Sequence, residues 1–466
     1  MSERLGTPAR PLRVAIVGAG PAGFYAAEAL LKQKELACRI DFINRLPTPY
    51  GLVREGVAPD HQSIKAVTRV YDKLAAGEQL RYFGNACFGS DLLHEDLKRL
   101  YDAIIYAVGA QSDRKMGIPG EDLPGSLPAT IFVGWYNGHP DYCDLSFDLA
   151  HERVLVVGNG NVAMDVTRIL VTDPDELATT DIADHALEAL RASKVREVVM
   201  LGRRGPAQAA FTTPELKEFG ELAGVDVIVD PADVALDSTS EASLADDKTA
   251  ARNVALLRAY AERAPTGAPR RIVMRFLVSP VEILEADGRI AAVRLERNVL
   301  AQGPDGGLRA QGTGAFEELA CGMLLRSVGY RGVSLPGVPF NTASGTIPNV
   351  AGRVTEHGSG KTVLGEYVVG WAKRGPSGVI GTNKPDSVAT VAALVADIAE
   401  GLLPGATGDG DVAALLRERG VDYVSYADWK ILDAHEAAHG VAQGRPRVKE
   451  TRVAAMMAII HAGRGA

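Results

Sequence analysis

Cysteine is scarce in this chain, and no two cysteines are close enough in sequence to act together. The four present form no Cys-x-x-Cys pair; they are Cys38, Cys87, Cys143 and Cys321. Redox-active dithiols, iron–sulfur clusters and cysteine zinc sites all need several thiols at short spacing, so the sequence argues against each of them. Isolated thiols are typical of proteins in a reducing compartment, which favours a cytoplasmic protein.

Long apolar runs and an excess of positive charge are also missing. No segment approaches the ~20 consecutive apolar residues of a membrane-spanning helix, and the short polar stretch before residue 11 does not resemble a secretory signal. The chain has 50 Lys and Arg against 58 Asp and Glu, a formal net charge of −8. Because a nucleic-acid-binding protein needs a basic face, we expect neither a nucleic-acid partner nor a membrane anchor.

What the chain does have is the length and composition of a globular protein with several domains. Its 466 residues suggest more than one domain at about 100–200 residues each. Apolar residues make up 46% and charged residues 23%, which is ordinary for a folded protein. Glycine is abundant, at 50 residues without a repeat period, so we expect the glycines in tight turns.

The first glycine-rich turn follows an apolar run near the N-terminus. Residues 12–17 (LRVAIV) predict a strand buried on both faces. They lead into Gly18-x-Gly20-x-x-Gly23 and then into a helical segment at 24–34. In a dinucleotide-binding turn the first glycine permits the sharp turn, the second lets a pyrophosphate approach, and the third allows close helix packing. A purely structural turn is the alternative.

A carboxylate usually follows such a turn about 20 residues later, where it binds the ribose hydroxyls. Here a second predicted strand, 39–43, is followed by Asn44. An amide can bind a hydroxyl, but it accepts a hydrogen bond less strongly than a carboxylate does. Asn44 is therefore the predicted ribose contact, and its hydrogen bond to the hydroxyl would be weaker than that of a carboxylate.

A second turn of the same kind lies 140 residues farther along the chain. Residues 153–157 (RVLVV) predict a buried strand, and a helical segment at 164–170 follows the turn. The turn itself consists of Gly158, Asn159, Gly160, Asn161, Val162 and Ala163, with Ala163 at the helix-packing position. Two such units in one chain predict two bound nucleotides.

The strand predicted after the second turn ends in two arginines. Residues 195–201 are largely apolar and lead into Gly202, Arg203 and Arg204. Guanidinium groups form planar bidentate contacts with phosphate, so the pair favours NADP, with its 2′-phosphate, over NAD. A solvated loop is the alternative. The intervening segment 173–192 is predicted to be an inserted helical hairpin.

Several long stretches of the chain resemble one known family. They are VGAGPAGF at 17–24, PTPYGLVREGVAPDH at 47–61, FVGWYN at 132–137, GNGNVA at 158–163, GRRGPAQAAFT at 202–212 and YVVGWAKRGPSGVIGTN at 367–383. With these motifs the chain resembles the adrenodoxin-reductase family of NADPH–ferredoxin reductases, especially its bacterial members. The resemblance covers nearly the whole chain.

The resemblance implies an α/β fold with two Rossmann-like dinucleotide-binding domains, as in glutathione reductase. The NADP domain would be inserted into the FAD domain. The expected divisions are 1–110 for the first part of the FAD domain, 111–326 for the NADP domain, and 327–466 for the second part of the FAD domain with the C-terminal helices. The chain would leave the FAD domain after YAVGA at 106–110 and return after RSVG at 326–329.

The resemblance also implies which residues contact FAD. In addition to Gly18, Gly20 and Gly23, they are Ala22, Asn44, Leu52, Phe88, Trp371, Gly378, Val379 and Ile380. The family usually has glutamate where this chain has Asn44.

Residues 375–378 precede a helix predicted for 387–398, with Thr382 and Asn383 as N-cap candidates. Backbone N–H groups at that helix start could face the flavin edge that becomes negative on reduction. An ordinary strand–turn–helix connection is the alternative interpretation.

For NADP, the implied contacts are Arg114, Asn159, Gly160, Asn161, Val162, Arg203, Arg204, Glu215 and Gly378. The candidate catalytic residues, near the nicotinamide, are His61 and Glu218. His61 follows a Pro-rich stretch, 47–59, that we expect to be extended. Residues three apart share a helix face, so Glu215 and Glu218 could point into one cleft. The alternatives are a hydrogen-bonded structural histidine and a solvated acidic pair.

A zinc-binding motif near the C-terminus is interpreted here as part of an ordinary helix. His435-Glu436-x-x-His439 matches the zinc-binding motif of helical metalloproteases. Gly440 follows at once and is predicted to end the helix, and the motif has no extension with a third histidine. We therefore expect the end of a terminal helix and no metal site.

The predicted reaction is hydride transfer from NADPH to bound FAD, followed by transfer of single electrons to a ferredoxin-type iron–sulfur protein. Docking is expected to be transient and to use local basic residues, since ferredoxins are typically acidic. The candidates are Arg203, Arg204, Lys217, Lys373, Arg374 and Lys384. One alternative is the NADPH-reacting subunit of a glutamate-synthase-like enzyme, whose chains usually carry cysteine-rich cluster segments. The other is a non-catalytic dinucleotide-binding sensor.

Overall fold

The structure, a computed structural model, describes residues 4–304 and 306–465. Within these ranges the chain forms 18 strands and 17 α-helices. None of the described helices combines the length and the apolar character needed to cross a membrane.

The strands, in chain order, are β1 (Leu12–Val17), β2 (Cys38–Ile43), β3 (Leu80–Phe83), β4 (Ala103–Tyr106), β5 (Ser112–Asp113), β6 (Ser126–Pro128), β7 (Arg153–Val157), β8 (Glu197–Gly202), β9 (Val225–Val229), β10 (Arg270–Phe276), β11 (Val278–Ala286), β12 (Arg289–Gln302), β13 (Leu308–Ala320), β14 (Met323–Arg326), β15 (Tyr330–Arg331), β16 (Asn349–Val350), β17 (Arg353–Thr355) and β18 (Thr362–Val368).

The α-helices are α1 (Pro21–Leu31), α2 (Leu52–Glu55), α3 (Gln62–Lys65), α4 (Thr68–Ala75), α5 (His94–Leu100), α6 (Ala129–Tyr136), α7 (Asn161–Val171), α8 (Pro174–Leu177), α9 (Asp184–Arg191), α10 (Thr213–Phe219), α11 (Ser238–Ser243), α12 (Lys248–Ala261), α13 (Trp371–Arg374), α14 (Asn383–Ala399), α15 (Val412–Glu418), α16 (Tyr426–Ala442) and α17 (Val453–Arg464). Short 3-10 helical turns occur at Pro206–Gln208, Pro231–Val234 and Ile380–Thr382.

The first sheet combines strands from both ends of the chain. Its order is β16-β17-β18-β4-β1-β2-β3, with β1 parallel to both β2 and β4 and with β18 parallel to β4. Successive side chains of a strand point to opposite faces, so Val14 and Ile16 pack into one hydrophobic core and Ala15 and Val17 into another. Burial on both faces explains why β1 is continuously apolar from Val14 to Val17.

The second sheet lies between the two halves of the first in sequence. Its strands follow the order β6-β14-β7-β8-β10-β9, and every neighbouring pair is parallel. Strand β7 coincides with the predicted strand at 153–157, and α8 and α9 form the helical pair predicted between the second turn and β8. The predicted α/β class with two Rossmann-like units is therefore confirmed.

Two smaller pairings were not predicted from the sequence. Strands β11, β12 and β13 form an antiparallel sheet between β10 and β14, and Asp287 and Gly288, both with positive φ (53° and 75°), make the first hairpin turn. Strands β5 and β15 pair antiparallel, joining Ser112 to Arg331. The two passages of the chain between the large sheets therefore run side by side.

The predicted helix starts differ from the observed ones at three glycine-rich turns. Helix α7 begins at Asn161 rather than residue 164. Helix α1 begins at Pro21 rather than residue 24, because proline suits the first helical position. Helix α14 begins at Asn383 rather than residue 387, and the Thr382 hydroxyl donates to the carbonyl of Val379 at 2.6 Å instead of accepting from an amide of the helix. Thr382 therefore ends the preceding turn rather than capping the helix through its side chain.

Two further predictions were wrong. The Pro-rich stretch 47–59 is not extended throughout, since α2 forms between its prolines after Gly51, whose φ is +50°. Gly440 does not end its helix, because α16 continues to Ala442. A Cβ at Gly440 would lie 2.4 Å from the Cα of Arg447, so the glycine permits the close return of the chain after the helix.

Candidate functional site

The first glycine turn has the geometry that a bound pyrophosphate requires. Gly18 has φ +102°, and a Cβ there would lie 2.6 Å from the carbonyl oxygen of Ala107. A Cβ on Gly23 would lie 2.5 Å from the carbonyl oxygen of Gly18, so helix α1 packs tightly against the strand. By contrast, no heavy atom of the described residues lies within 4 Å of a Cβ built on Gly20. The free space is at the position where a phosphate would approach.

The N-terminus of α1 offers backbone donors to this space. Gly20 is the N-cap residue in an extended conformation, and no described side chain caps the helix. The first N–H groups of a helix have no partner within it and lie at the positive end of its dipole. The turn therefore fits the diphosphate of a dinucleotide, which would supply the missing acceptors.

Asn44 is already engaged by the protein. Its Oδ1 accepts a hydrogen bond from the amide of Ala19 at 3.1 Å, and its Nδ2 donates to the carbonyls of Leu46 and Thr48 at 2.9 and 3.0 Å. The side chain thus ties the glycine turn to the loop after β2. A ribose contact at Asn44 stays a prediction, and a bound hydroxyl would have to share or replace these bonds.

The first glycine turn packs closely against the C-terminal part of the chain. Gly370 has φ +70°, and a Cβ there would lie 2.6 Å from the Cβ of Ala22. The hydroxyl of Ser387 in α14 donates to the carbonyl of Ala22 at 3.0 Å. Residues that are more than 300 positions apart in the chain therefore meet at the start of α1.

The other predicted FAD contacts differ in exposure. Leu52 and Val379 are large apolar side chains that are 40% and 52% exposed, whereas Phe88 is buried in the core. The indole of Trp371 donates to the carbonyl of Ser377 at 3.2 Å, and its ring lies against Tyr330. The two exposed side chains offer apolar surface to a flat ring, and the side chain of Phe88 does not.

Gly378 and Ile380 lie in the loop that enters α14. Gly378 has φ +78°, and a Cβ there would lie 2.4 Å from the hydroxyl oxygen of Thr382, which explains a glycine at this position. Ile380 begins the 3-10 turn, which continues directly into α14. These residues therefore stand at a helix start, where backbone N–H groups are available.

The second glycine turn repeats the first. Gly158 has φ +139° and would place a Cβ 2.3 Å from the carbonyl oxygen of Ser327, while a Cβ on Gly160 meets no heavy atom of the described residues within 4 Å. Gly160 is the N-cap of α7 and has no side-chain cap among the described residues. Asn161 accepts from the amide of Thr212 at 2.9 Å. Val162, in the first turn of the helix, is half-buried.

Two arginines follow the strand next to this turn. Strands β7 and β8 are parallel with Val157 opposite Leu201, so Gly158 and Gly202 lie at the same sheet edge, and the side chain of Asn159 lies against Gly202. Arg203 and Arg204 are exposed, and neither guanidinium pairs with a carboxylate among the residues that the structure describes. Both are therefore free to bind a phosphate beside the turn.

Arg114 and Glu215 occupy different surroundings. Arg114 is exposed, its backbone amide donates to the carbonyl of Gly329 at 2.9 Å, and its side chain lies beside that glycine. Glu215 is buried near the start of α10. The two residues are therefore not equivalent candidates, because only Arg114 offers a free charge at the surface.

The predicted catalytic pair is brought together. The Nε2 of His61 and the Oε2 of Glu218 are 2.9 Å apart, although 157 positions separate the two residues. Arg168 of α7 holds the surrounding acids: it bonds Asp60 at 2.7 and 3.0 Å, Asp165 at 2.7 Å and Glu215 at 3.2 Å. We call these six residues (Asp60, His61, Asp165, Arg168, Glu215 and Glu218) the His61 cluster.

Three members of the His61 cluster were missed by the sequence analysis, namely Asp60, Asp165 and Arg168. Asp165 and Arg168 are three residues apart on one helix, which is a spacing that brings opposite charges together. That signal was available, but such pairs are common on solvated helix faces. Only their burial beside His61 distinguishes this pair, and burial is a tertiary property.

The His61 cluster contains more acidic than basic groups, and this alters the pKa values of its members. Burial and the adjacent carboxylate of Asp165 raise the pKa of Glu215 to about 7. Burial also raises the pKa of Asp165, despite its contact with Arg168. Burial opposes the ionisation of Asp60 as well, but the two bonds from Arg168 lower its pKa. The cluster can therefore hold a proton near neutral pH.

We expect Glu215→Gln to change the pH dependence of stability. Because the folded pKa of Glu215 is above its ordinary value, the folded state binds the proton more tightly, and stability decreases as pH rises from about 4.5 to about 7. Glutamine cannot ionise, so the variant escapes this loss. The melting temperature of the variant minus that of the parent should therefore be larger at pH 8 than at pH 5. Melting curves at both pH values test this, with Glu221→Gln, an exposed glutamate, as the control. An equal difference at both pH values would refute the expectation.

In the metalloprotease-like motif only the glutamate is buried, and both histidines are exposed. Glu436 is buried and receives two hydrogen bonds from Arg54, at 2.8 and 2.6 Å. His439 directs its Nδ1 toward the carbonyl of His435, at 2.9 Å. Separately, His61, Glu215 and Glu218 place potential ligand atoms within 4.8 Å of one another. There, however, the facing oxygens of both glutamates already lie 3.2 and 3.4 Å from a guanidinium nitrogen of Arg168.

Known proteins share this architecture. The family described as pyridine nucleotide-disulphide oxidoreductase matches residues 12–206. "NADPH-ferredoxin reductase FprA" of Mycobacterium tuberculosis is 50% identical over 462 residues, covering 97% of this chain and 99% of the relative. "NADPH:adrenodoxin oxidoreductase, mitochondrial" of Arabidopsis thaliana is 42% identical, covering 94% of this chain and 93% of the relative.

A solved structure extends the match to three dimensions. The structure described as "Mycobacterium tuberculosis FprA in complex with NADPH" has a TM-score of 0.91 and 48% identity, covering 97% of this chain and 100% of that chain. The predicted family and the prediction of an oxidoreductase are confirmed, and a full-length match of this kind favours a reductase over both alternative functions. The chain belongs to the family of NADPH-ferredoxin reductases that includes FprA and the adrenodoxin oxidoreductase.

Proposed function

We propose that this chain is an FAD-dependent NADPH–ferredoxin reductase that takes reducing equivalents from NADPH and passes electrons singly to a ferredoxin-type iron–sulfur protein. The observation that carries the proposal is the repetition of one phosphate-binding device. Gly20 and Gly160 each leave free space in front of an uncapped helix N-terminus. Two dinucleotides are thus accommodated in a chain that is half identical to FprA over its length.

FAD and NADP(H) are the cofactors of the family, and the predicted cofactors are thereby confirmed. We propose that FAD binds along the first turn, with Gly18, Gly20, Ala22 and Gly23 at its diphosphate and with Leu52, Trp371 and 378–380 around its ring system. Asn44 would reach the ribose, and Phe88 would support the site from the core. When bound, FAD accepts hydride and releases electrons one at a time, the chemistry that links a two-electron donor to a one-electron acceptor.

We propose that NADP(H) binds along the second turn. The backbone of 159–162 would hold the diphosphate at the start of α7, and Arg203 and Arg204 would bind the 2′-phosphate through charge-assisted hydrogen bonds. Arg114 adds an exposed positive charge near the point where the chain passes between the sheets. Glu215 and Gly378 would lie on the nicotinamide side of the site.

We propose that His61 and Glu218 are the residues that act next to the reacting rings. Their hydrogen bond orients the imidazole, and Arg168 orients the acids around it. The cluster joins residues that precede α3, in the N-terminal part of the chain, to residues of α7 and α10. It therefore positions the two halves of the cleft relative to each other. Glu215, whose pKa is raised to about 7 by burial and by the carboxylate of Asp165, can hold a proton beside His61.

A double-mutant cycle tests the His61–Glu218 pair. We expect His61→Gln and Glu218→Gln each to slow the reduction of bound FAD by NADPH about 10-fold. Loss of one hydrogen bond to a charged group costs about 1.5 kcal/mol, which corresponds to that factor in rate. The double variant should be about as slow as either single variant, because both changes remove the same bond. Stopped-flow flavin absorbance measures the rates. Lys217→Gln, an exposed neighbour on α10, is the control, and independent, multiplying effects would contradict a shared role.

The proposed divisions of the chain are 1–110 and 327–466 for the FAD domain and 111–326 for the NADP domain. Their support is the membership of the sheets. Strands β1–β4 and β16–β18 form the first sheet, and β6–β10 with β14 form the second; β11–β13, within the same segment, form the antiparallel sheet. The β5–β15 pair joins the two crossing segments.

We propose that the iron–sulfur partner docks transiently, in the cytoplasm, without involvement of nucleic acid or membrane. Four free cysteines support a reducing compartment. Among the basic residues predicted for docking, Lys373 and Arg374 pair with Asp386, and Lys384 pairs with Glu28. Lys217 is exposed and has no such pair among the described residues. Because Arg203 and Arg204 are proposed to bind the 2′-phosphate, Lys217 is the strongest remaining docking candidate.

Anaerobic titration with NADPH tests the proposed function. The purified protein should be yellow, and its visible flavin absorbance should bleach with NADPH and return when an oxidised ferredoxin is added. NADH at the same concentration should bleach it far more slowly. Flavin absorbance that persists through many equivalents of NADPH would contradict hydride transfer, and bleached flavin that no small iron–sulfur protein reoxidises would contradict the assigned acceptor.

A further inference from the structure

A cavity of about 680 Å³ lies in the second sheet, away from both glycine turns. Its lining includes Arg153, Glu197 and Arg270, which are at the amino ends of β7, β8 and β10. The glycine turn and Arg203 are at the carboxyl ends of β7 and β8. A five-residue strand separates the two edges by about 15 Å, so this cavity is not part of the nucleotide site. We call it the arginine groove.

The lining of the arginine groove carries charge opposite to that of the whole chain. Five arginines line it, against three carboxylates, whereas the chain has a net charge of −8. The arginines are Arg153, Arg196, Arg270, Arg271 and Arg289. Positive charge concentrated in a concavity raises the local concentration of anions.

Three of these arginines are held by acids of the groove or its rim. Glu197 bonds both Arg153 and Arg271, which flank it across the parallel sheet. Arg289, just after the β11–β12 turn, donates to Asp148 at 2.8 Å. These contacts fix one side of the groove and leave little charge there for a ligand.

Arg196 and Arg270 differ from these three arginines in their hydrogen-bond partners. Each guanidinium donates only to a backbone carbonyl, that of Val195 at 2.9 Å and that of Val171 at 3.2 Å, and neither has a carboxylate partner in the described part of the chain. A guanidinium presents five donors and is selective for planar bidentate acceptors such as phosphate. Two such groups in one concavity provide unsatisfied donors for two phosphates.

We propose that the arginine groove binds a small polyphosphate, a molecule with at least two phosphate groups, between Arg196 and Arg270. Its volume lies in the range of small-molecule pockets, about 300–1,000 Å³, which favours a small ligand over the convex surface of a protein. The inference stands apart from the proposed function, because the groove and the nucleotide site are at opposite edges of the sheet.

Calorimetric titration with inorganic pyrophosphate tests the site, with FAD-loaded enzyme and no added NADP⁺, because NADP⁺ itself carries three phosphates and could occupy the groove. We expect one molecule bound per chain and at least about a 100-fold weaker affinity in Arg196→Ala/Arg270→Ala, since the two lost charge-assisted contacts together cost about 3 kcal/mol or more. The KM for NADPH should not change. Arg258→Ala/Arg417→Ala, which removes two exposed charges elsewhere, is the matched control and should bind as the parent does.

A second measurement keeps the test independent of the double variant. In the parent protein, ADP is titrated under the same conditions: tighter binding than pyrophosphate assigns the site to organic polyphosphates, and equal affinity assigns it to the inorganic anion. The proposal is overturned if the parent shows no saturable binding at millimolar pyrophosphate. It is also overturned if Arg203→Ala/Arg204→Ala, a change at the nucleotide site, lowers the affinity as much as the groove variant does, or if the control variant does so.

Discussion

Gly20→Val is expected to give a folded protein that does not retain FAD. The φ of Gly20 is −90° with extended ψ, which a β-branched residue readily adopts, and a Cβ there meets no described heavy atom within 4 Å. The added side chain would instead occupy the space in front of the helix N-terminus, where the diphosphate must lie. We expect FAD affinity to fall by about 100-fold or more, since forcing groups into occupied space costs about 3 kcal/mol. Flavin content after gel filtration measures the loss.

Two matched variants separate cofactor loss from unfolding. Gly160→Val makes the same change at the second turn, where φ is −113°, and should give a yellow protein that NADPH reduces poorly. Gly18→Val places a side chain at φ +102° and against the carbonyl of Ala107, so it should lower the melting temperature itself. Gly20→Val protein that purifies with a full complement of FAD would rule out the proposed diphosphate position.

Arg203→Ala/Arg204→Ala is expected to abolish most of the preference for NADPH over NADH. Both guanidinium groups are exposed beside the second turn and unpaired among the described residues, so they are available to the 2′-phosphate. Two charge-assisted hydrogen bonds at about 1.5 kcal/mol or more each correspond to about a 100-fold or greater rise in the KM for NADPH. The KM for NADH, which lacks the phosphate, should remain within a factor of about two.

Steady-state reduction of an artificial electron acceptor with each nucleotide measures this change without involving the ferredoxin. The Arg258→Ala/Arg417→Ala variant again removes two positive charges at a distance and should keep the preference. If the preference for NADPH survives in the Arg203/Arg204 variant, the 2′-phosphate is bound elsewhere, and Arg114 becomes the first residue to test.

The predictable parts of the fold were those with a local signature. Residues 14–17 and 154–157 are apolar without alternation because both faces of a parallel strand are buried, and both segments lie in strands. The glycines at 18 and 158 were predicted to permit sharp turns, and both have positive φ. Where local signals were weak the prediction was incomplete: the Asp-Gly pair at 287–288 marks a hairpin, yet the antiparallel sheet around it was not foreseen.

The candidate site was predictable residue by residue only where a motif surrounds the residue. His61 and Glu218 were proposed through resemblance, and their 2.9 Å contact depends on how the segment before α3 packs against α10. Asp60, Asp165 and Arg168 have no motif, and they join the cluster only through burial. Asn44 shows the opposite case, because its position was predicted but its side chain is bonded to the backbone of Ala19, Leu46 and Thr48.

By itself the sequence determined the two strand–turn–helix units, because side-chain periodicity and the conformational freedom of glycine act within about ten residues. It also predicted a 2′-phosphate site at Arg203 and Arg204, since those charges adjoin a recognisable turn. Only the tertiary structure decided that Ala22 meets Gly370, that Arg168 gathers four carboxylates beside His61, and that Arg196 and Arg270 share a groove. Such contacts follow from sheet order and packing, which no spacing along the chain specifies.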